Sequence, residues 1–483
     1  MKQFPQLSSL QEQELVESVL QWSLANGLTM YPPNFPNYQV NNAPITLFPT
    51  PLPKTAFKDA VAVQKVFQEL YINIVSKNES WLSEILQDLS SFDPEFTGKL
   101  FETYLKAKPH IIQPLSLGLF RSDYFIDKSN NQIKQIEFNT VSVSFGGLST
   151  KIGQLHQYLN KSGKYDSDYS NAYYDDDELQ ISNSANELAK GLAEADSSYS
   201  KDNGTVVIFI VQPNERNCFD QRHIEYSLLQ NHNIKSYRFT LEEVELKLTV
   251  NSSKLYVKAT MDEVSVVYYR SGYAPSDYTN NPKACWDARL FLETSAAIKC
   301  PSLLTQLSGA KKIQQILTDE TILKKFLPSI EPDTLKLLTS TFVDIYPLDD
   351  SPRGLKAQKL AFEFPEKFVL KPQREGGGNN IYKENIPEFL KSLPKNEWQG
   401  YILMELIEPP LFKNKVIRNN EVYNEEIISE LGIFGTILFN EQSGEILSNE
   451  NAGWLLRSKF SSSNEGGVAA GFGCVDNVYL YEE

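Results

Sequence analysis

The residue types best suited to chemistry stand together in residues 371–380, KPQREGGGNN. They follow directly on Phe368, Val369 and Leu370, an apolar run with the composition of a strand. Gly376, Gly377 and Gly378 let backbone N–H groups approach an anion that any Cβ would obstruct. Lys371 supplies positive charge, Glu375 a hard oxygen for a metal, and Asn379 and Asn380 close the loop with carboxamides. The chemistry implied is a clamp on nucleotide phosphates. No Gly-Lys-Ser/Thr follows, so this is not a Walker A loop, and no GxGxxG is present, so it is not a dinucleotide fingerprint. Glycine-rich composition also suits a flexible linker, but a linker has no use for the flanking lysine, acid and carboxamides.

Residues 132–139, QIKQIEFN, alternate so that Ile136 and Phe138 fall on one face of a strand and Glu137 and Asn139 on the other. Glu137, Asn139 and Glu375 are oxygen donors of the kind Mg²⁺ takes beside phosphate and water. Three arginines, Arg121 in GLFRSDY, Arg270 in VVYYRSGY and Arg457 in WLLRSKF, are expected at strand ends, where a guanidinium forks onto a carboxylate. Three alike imply a substrate with several carboxylates. Residues 214–221, NERNCFDQ, open a helix just after a strand ending near Val211, a usual ligand position in α/β proteins. The small residues of NEGGVAAGFG, 464–473, suit a loop that closes over a small substrate or a plain turn. Met404, Glu405 and Ile407 in YILMELIEP suit either an adenine slot with backbone hydrogen bonds or ordinary strand packing.

Elements must position these groups. Ser9 and Glu12 have capping-box spacing ahead of Leu15, Val19 and Trp22, with Asn26-Gly27 as a stop, and this predicts a helix over 8–27. Val63, Phe67, Leu70 and Ile74 carry a second helical stripe. The polar stretch 194–204 precedes a β-like run at 205–211 and marks an expected domain boundary. From 205 to about 308 the order strand, helix, strand, helix, with an apolar run at 264–269, predicts a parallel α/β unit.

A chain of 483 residues is long enough for about three structural units. Its 46 basic and 61 acidic residues give a net charge of −15, which argues against nucleic acid as a partner. The N-terminus lacks a signal-peptide core and no run of about 18 apolar residues occurs, so a cytoplasmic, non-membrane protein is expected. Cys218, Cys285, Cys300 and Cys474 are scattered without a CxxC pair, and His110, His156, His223 and His232 lack metal-ligand spacing. Neither a disulfide framework nor histidine-centred catalysis is expected.

Taken in order, FRSDY, IEFNTVSVSFGGLS, NERNCFDQR, VVYYRSGY, TQLSG, KPQREGGGNN, YILMELIEP, ISELGIFG and EGGVAAG resemble eukaryotic glutathione synthetases from about residue 28 to the end. The resemblance implies a mixed α/β, permuted ATP-grasp fold: an N-terminal part of the main body over 1–204, an inserted α/β substrate-binding domain over 205–308, and a nucleotide-binding part with glycine-rich lids over 309–483. It implies a homodimer that joins γ-glutamylcysteine to glycine with ATP and one or two Mg²⁺ ions per subunit. By matching position, Mg²⁺ falls on Glu137, Asn139 and Glu375. ATP falls on Lys311, Lys371, the loop 375–380, Tyr382, Met404, Glu405, Leu406, Ile407, Glu430, Lys459, Glu465 and Glu137. The dipeptide and product fall on Arg121, Val141, Ser142, Val143, Ser144, Glu215, Arg216, Asn217, Gln221, Arg270, Ser271, Gly272, Tyr273, Arg457, Val468 and Ala469. Glu465 stands where some relatives carry Asp, and Leu406 where some carry Lys. In the implied mechanism the cysteinyl carboxylate attacks the γ-phosphate, and glycine displaces phosphate from the resulting acyl phosphate; Lys311, Lys371 and Arg457 neutralise charge, and no enzyme nucleophile is needed. A ligase with serine or β-alanine as acceptor and a non-catalytic nucleotide-binding regulator are the alternatives.

Overall fold

In the computed structural model, which describes residues 1–33, 38–200, 204–375, 378–464, 467, 468, 471 and 473–482, the chain is a mixed α/β protein. Helix α1 (Ser9–Asn26) starts one residue earlier in its capping than expected. Ser8, not Ser9, is the cap, and its partner is Gln11, not Glu12. Gly27, at φ 73°, ends the helix in the left-handed conformation that glycine adopts without strain. Helix α2 (Lys54–Lys77) buries the stripe Val63, Phe67, Leu70 and Ile74 completely, because spacings of four and three residues return to one face.

Two antiparallel strands follow, β1 (Leu115–Ile126) and β2 (Ile133–Asn139), and then helices α3 (Gly146–Lys161) and α4 (Ser184–Tyr199). The next stretch runs β3 (Val206–Ile210), α5 (Cys218–His232), β4 (Lys235–Phe239), β5 (Glu263–Tyr269), α6 (Pro282–Glu293) and β6 (Ile298–Cys300). Short strands Leu248–Asn251 and Lys254–Val257 intervene before β5, a hairpin absent from the simple strand–helix alternation. Strands β3, β4, β5 and β6 pair in parallel, and the near-unbroken apolar runs of β3 and β5 are those of strands covered on both faces.

After helix α7 (Lys311–Ile316) the chain forms β7 (Ile345–Pro347), β8 (Phe368–Pro372), β9 (Ile381–Tyr382) and β10 (Tyr401–Glu405). These make a four-stranded antiparallel sheet in the order β7-β10-β8-β9. The long strands β11 (Glu421–Asn440) and β12 (Ile446–Phe460), with β13 (Gly473–Asp476), return to the larger sheet. There β1 is the junction: parallel to β6 on one side and antiparallel to β11 on the other, it continues the parallel strands into the antiparallel β11, β12 and β13. Helix α2 packs on β11 and β12, and Phe67 and Tyr71 lie against Phe138 of β2. All four cysteines are unpaired, as expected, and among the described residues no helix is long and apolar enough to cross a membrane.

Candidate active site

Strand register assembles the site. Arg121 lies opposite Asn139 and Asp123 opposite Glu137 across β1 and β2, while Gly432 of β11 lies opposite Asp123 and Glu430 opposite Arg457 of β12. Every second residue of a strand shares a face, so four adjacent strands present Asn139, Glu137, Arg121, Asp123, Glu430 and Arg457 together. The small sheet meets them through β8, which delivers Lys371 and, just beyond it, Glu375. Between the sheets lies a cavity of about 1110 Å³.

The alternation expected for 132–139 fails at one position. A register shift between Asp123 and Tyr124 leaves Ile136 bulged out, so it lines the cavity while Phe138 is buried. The Ile136 carbonyl is thereby turned to accept from Lys371 Nζ at 3.0 Å and from Gln314 Nε2 at 3.2 Å. Lys311, only 4 % exposed, places Nζ 3.0 Å from Glu137 Oε2 and 3.1 and 3.3 Å from the two Glu375 oxygens. Burial opposes the charge on Lys311, but the two carboxylates outweigh it and raise its pKa. Burial likewise opposes ionisation of Glu137, yet Lys311 and Lys371 hold it well below the usual carboxylate range. Glu375 is pushed up to about 7 by burial and the nearby Glu137 charge, and Lys371 down to about 8 by burial, with Lys311 adding to the shift.

Of the three arginines, only Arg270 follows a strand end; Arg121 and Arg457 sit inside β1 and β12. Both line the cavity, yet neither is an open fork. Arg121 is already bidentate to Asp123, Nε to Oδ1 at 2.6 Å and Nη2 to Oδ2 at 2.8 Å, and Arg457 pairs with Glu430 and, at 3.2 Å, with Asp123. Arg270 is buried under the loop 141–144, bonded to the Val143 carbonyl and to Ser144 Oγ. Ser142 and Phe145 have positive φ, 52° and 73°, a costly conformation for residues with a Cβ. Asp220 holds that loop from α5: its carboxylate accepts from the N–H of Phe145 at 2.7 Å and of Leu148 at 3.0 Å, capping α3 from another helix.

The cavity brings together most of the expected set: Arg121, Glu137, Asn139, Val141, Ser142, Val143, Ser144, Tyr273, Lys311, Lys371, Glu375, Asn379, Asn380, Tyr382, Met404, Glu405, Leu406, Ile407, Glu430, Arg457, Lys459 and Val468. Val369, Met404 and Tyr382 face each other by register and give one wall its apolar slot. The N–H groups of Glu405 and Leu406 already donate to the carbonyls of Asp344 and Lys367, so those two backbone donors of the slot are engaged. Glu215, Arg216, Asn217, Gln221, Arg270, Gly272 and Gly378 are not on the wall. Glu215 accepts from Asn217 N and Gln221 Nε2, Arg216 Nε donates to the Tyr31 carbonyl, and Gly378 is exposed at φ 77°. Ser271 lines a separate cavity of about 240 Å³ beyond the carboxyl ends of β3, β4 and β5. Gly376, Gly377, Glu465 and Ala469 lie outside the described residues.

Sequence reading missed Asp123, Asp220 and the pair formed by Arg374 with Asp93. Asp123 carried a signal: in FRSDY it stands two residues after Arg121, hence on the same face of a strand. Among the described residues no cluster of three His, Cys, Asp and Glu side chains is placed for a metal. The available oxygen donors are mixed, two carboxylates and a carboxamide. Asn139 Nδ2 donates to the Arg121 carbonyl at 3.1 Å and to Asp123 Oδ2 at 2.9 Å, so its amide nitrogen is engaged and Oδ1 is its remaining polar atom. The Lys311 ammonium, held between Glu137 and Glu375, shows that the two carboxylates accept a shared cation.

The family model described as eukaryotic glutathione synthase, ATP binding domain, matches residues 9–480. The chain belongs to the eukaryotic glutathione synthase family. It is similar to the glutathione synthetase large chain of Schizosaccharomyces pombe, at 42 % identity over 465 residues covering 91 % of each chain. Against the glutathione synthetase of Homo sapiens the figures are 39 % over 482 residues and 97 % of each. A glutathione synthetase-like effector of Globodera pallida, solved in its apo form, has the same fold, with a TM-score of 0.77, 22 % identity and full coverage of both chains.

Proposed function

We propose that the chain is an ATP-dependent ligase that forms glutathione from γ-glutamylcysteine and glycine, releasing ADP and phosphate. The observation that carries the reading is the single cavity in which Lys311, Lys371, Glu137, Glu375, Arg121 and Arg457 converge, within a chain about 40 % identical to curated glutathione synthetases over nearly its whole length. The fold read onto this architecture is a permuted ATP-grasp, with 205–308 as an inserted substrate domain between body parts 1–204 and 309–483. The working form is a cytoplasmic homodimer, with no membrane or nucleic-acid partner.

In this reading adenine enters the slot of Val369, Met404 and Tyr382, and the triphosphate runs toward Lys371 and Lys311. Glu137, Asn139 and Glu375 would hold Mg²⁺, which when bound neutralises charge on the phosphate oxygens. With those carboxylates holding the metal, Lys311, which contacts both of them in this structure, would be free to bind the phosphates. Arg457 and Arg121 face the dipeptide carboxylate, keep it in line with the γ-phosphate and stabilise the charge that builds on the transferring group. The cysteinyl carboxylate oxygen bonds to phosphorus as the bridging bond to ADP breaks. The glycine amine then attacks the acyl carbon, phosphate leaves, and the amine surrenders its proton. Loop 141–145 together with Asn464, Gly467 and Val468 bounds the space in which the acyl phosphate must escape water. The small residue types at 468–470 in the sequence favour glycine over serine or β-alanine by resemblance to the family. Purified protein given ATP, Mg²⁺, γ-glutamylcysteine and glycine should accumulate glutathione and ADP in equal amounts. Equal turnover with serine or β-alanine overturns the acceptor assignment, and ATP binding with no turnover favours the regulator.

A further inference from the structure

We propose that Asp123 is the positioning residue that sets the dipeptide-binding arginines and the carboxamide metal ligand in one geometry; this rests on the functional reading above. Its side chain is fully buried on β1, between the strands that carry Glu137 and Gly432. Four hydrogen bonds from three site residues end on this carboxylate. Oδ1 accepts from Arg121 Nε at 2.6 Å; Oδ2 accepts from Arg121 Nη2 at 2.8 Å, Asn139 Nδ2 at 2.9 Å and Arg457 Nη2 at 3.2 Å. No other carboxylate among the described residues joins Arg121, Arg457 and Asn139. Two guanidinium groups can stand side by side here only with a negative charge between them, and the bidentate fork fixes the plane of Arg121. By taking Asn139 Nδ2, the same carboxylate leaves Oδ1 as the atom that amide offers a cation.

The backbone opposite is shaped for this. A Cβ on Gly432 would lie 2.7 Å from Asp123 Oδ1 and 2.8 Å from Arg121 Cδ, so glycine alone leaves room for the pair. Asp123 is not on the cavity wall, and it works through Arg121, Asn139 and Arg457, which are.

Two variants test this against the wild type: Asp123→Asn, which keeps shape but sets an amide N–H₂ against N–H donors, and Gly432→Ala, which keeps every charge but crowds the pair. Expected for Asp123→Asn is a still cooperative thermal transition a few degrees below wild type, a KM for ATP within about twofold of wild type, and a fall of about a hundredfold in kcat/KM for the dipeptide, with a higher Mg²⁺ requirement. Gly432→Ala should show the same split, more weakly, and it carries the test if Asp123→Asn does not fold. The inference is overturned if ATP and dipeptide parameters fall in equal proportion, or if both variants match wild type. A wild type that makes no glutathione in the same assay would instead overturn the functional reading.

Discussion

Lys311 occupies the position of a cation between Glu137 and Glu375, and replacing it by methionine should expose what that charge does. Removing one partner of a buried ionic cluster costs about 3–5 kcal/mol because the remaining charges lose compensation. Glu137 and Glu375 keep 25 % and 23 % of their side chains exposed, so solvent screens part of that loss. A penalty of about 1–3 kcal/mol remains after that discount. At about 2.1 cal/mol/K of unfolding entropy per residue, 483 residues give about 1 °C per kcal/mol, hence a drop of about 1–3 °C in Tm in the presence of chelator. Millimolar Mg²⁺ without nucleotide should then recover stability in Lys311→Met and do little for wild type, whose own ammonium competes for the two carboxylates. Thermal unfolding followed by circular dichroism, with chelator and with Mg²⁺, reads both effects, and turnover should fall by about a hundredfold or more. The reasoning is refuted if the variant unfolds with wild type in chelator and gains nothing from Mg²⁺.

Lys371 loses its proton above about pH 8 in the free protein, so kcat/KM for ATP should have a limb that falls above that pH, and a pH–rate profile of Lys371→Met should lack the limb. Arg374→Ala frees Asp93, which also caps Thr97 through its N–H at 2.9 Å and its hydroxyl at 2.6 Å; the segment leading to Glu375 should loosen, and the KM for ATP should rise several-fold more than that for the dipeptide. Asp476 is buried, accepts from the hydroxyls of Thr46, Thr50 and Ser458 at 2.6 Å each, and is pushed up to about 6 by burial. The folded protein therefore holds a proton that the unfolded chain releases near its ordinary value of 3.8. The stabilisation from this group is complete below about pH 4 and fades as pH rises through about 6, by up to about 3 kcal/mol. Denaturant unfolding across that window should lose this component of the slope in Asp476→Asn; an unchanged slope would exclude the assignment.

The parts of the site legible in sequence were those whose partners lie close along the chain. Lys371 and Glu375 are four residues apart at the end of an apolar run, and Glu137 and Asn139 are two apart on a strand, so local periodicity alone paired them. Helix α2 was legible for the same reason, since Val63, Phe67, Leu70 and Ile74 repeat with the helical turn. What joins these pieces is register between strands that brings together residues as far apart as Asp123 and Arg457, 334 positions along the chain, and no local pattern encodes it. Arg121 and Arg457 therefore looked like strand ends with open guanidinium groups, whereas the sheet gives both of them Asp123. Ile136 misled for a related reason: the bulge that turns its carbonyl toward Lys371 is set by pairing with β1, and the residue type alone reads as core. The cap of α1 was displaced by one residue because Ser8 and Ser9 are chemically equal candidates, and only the Gln11 side chain chooses between them.

The most direct measurement follows oxygen. With γ-glutamylcysteine labelled with ¹⁸O in its cysteinyl carboxylate, attack on the γ-phosphate predicts that each phosphate released carries one labelled oxygen, that glutathione keeps the other in its new amide, and that ADP carries none. Unlabelled phosphate, or ADP formed at the full rate without dipeptide, would contradict the account.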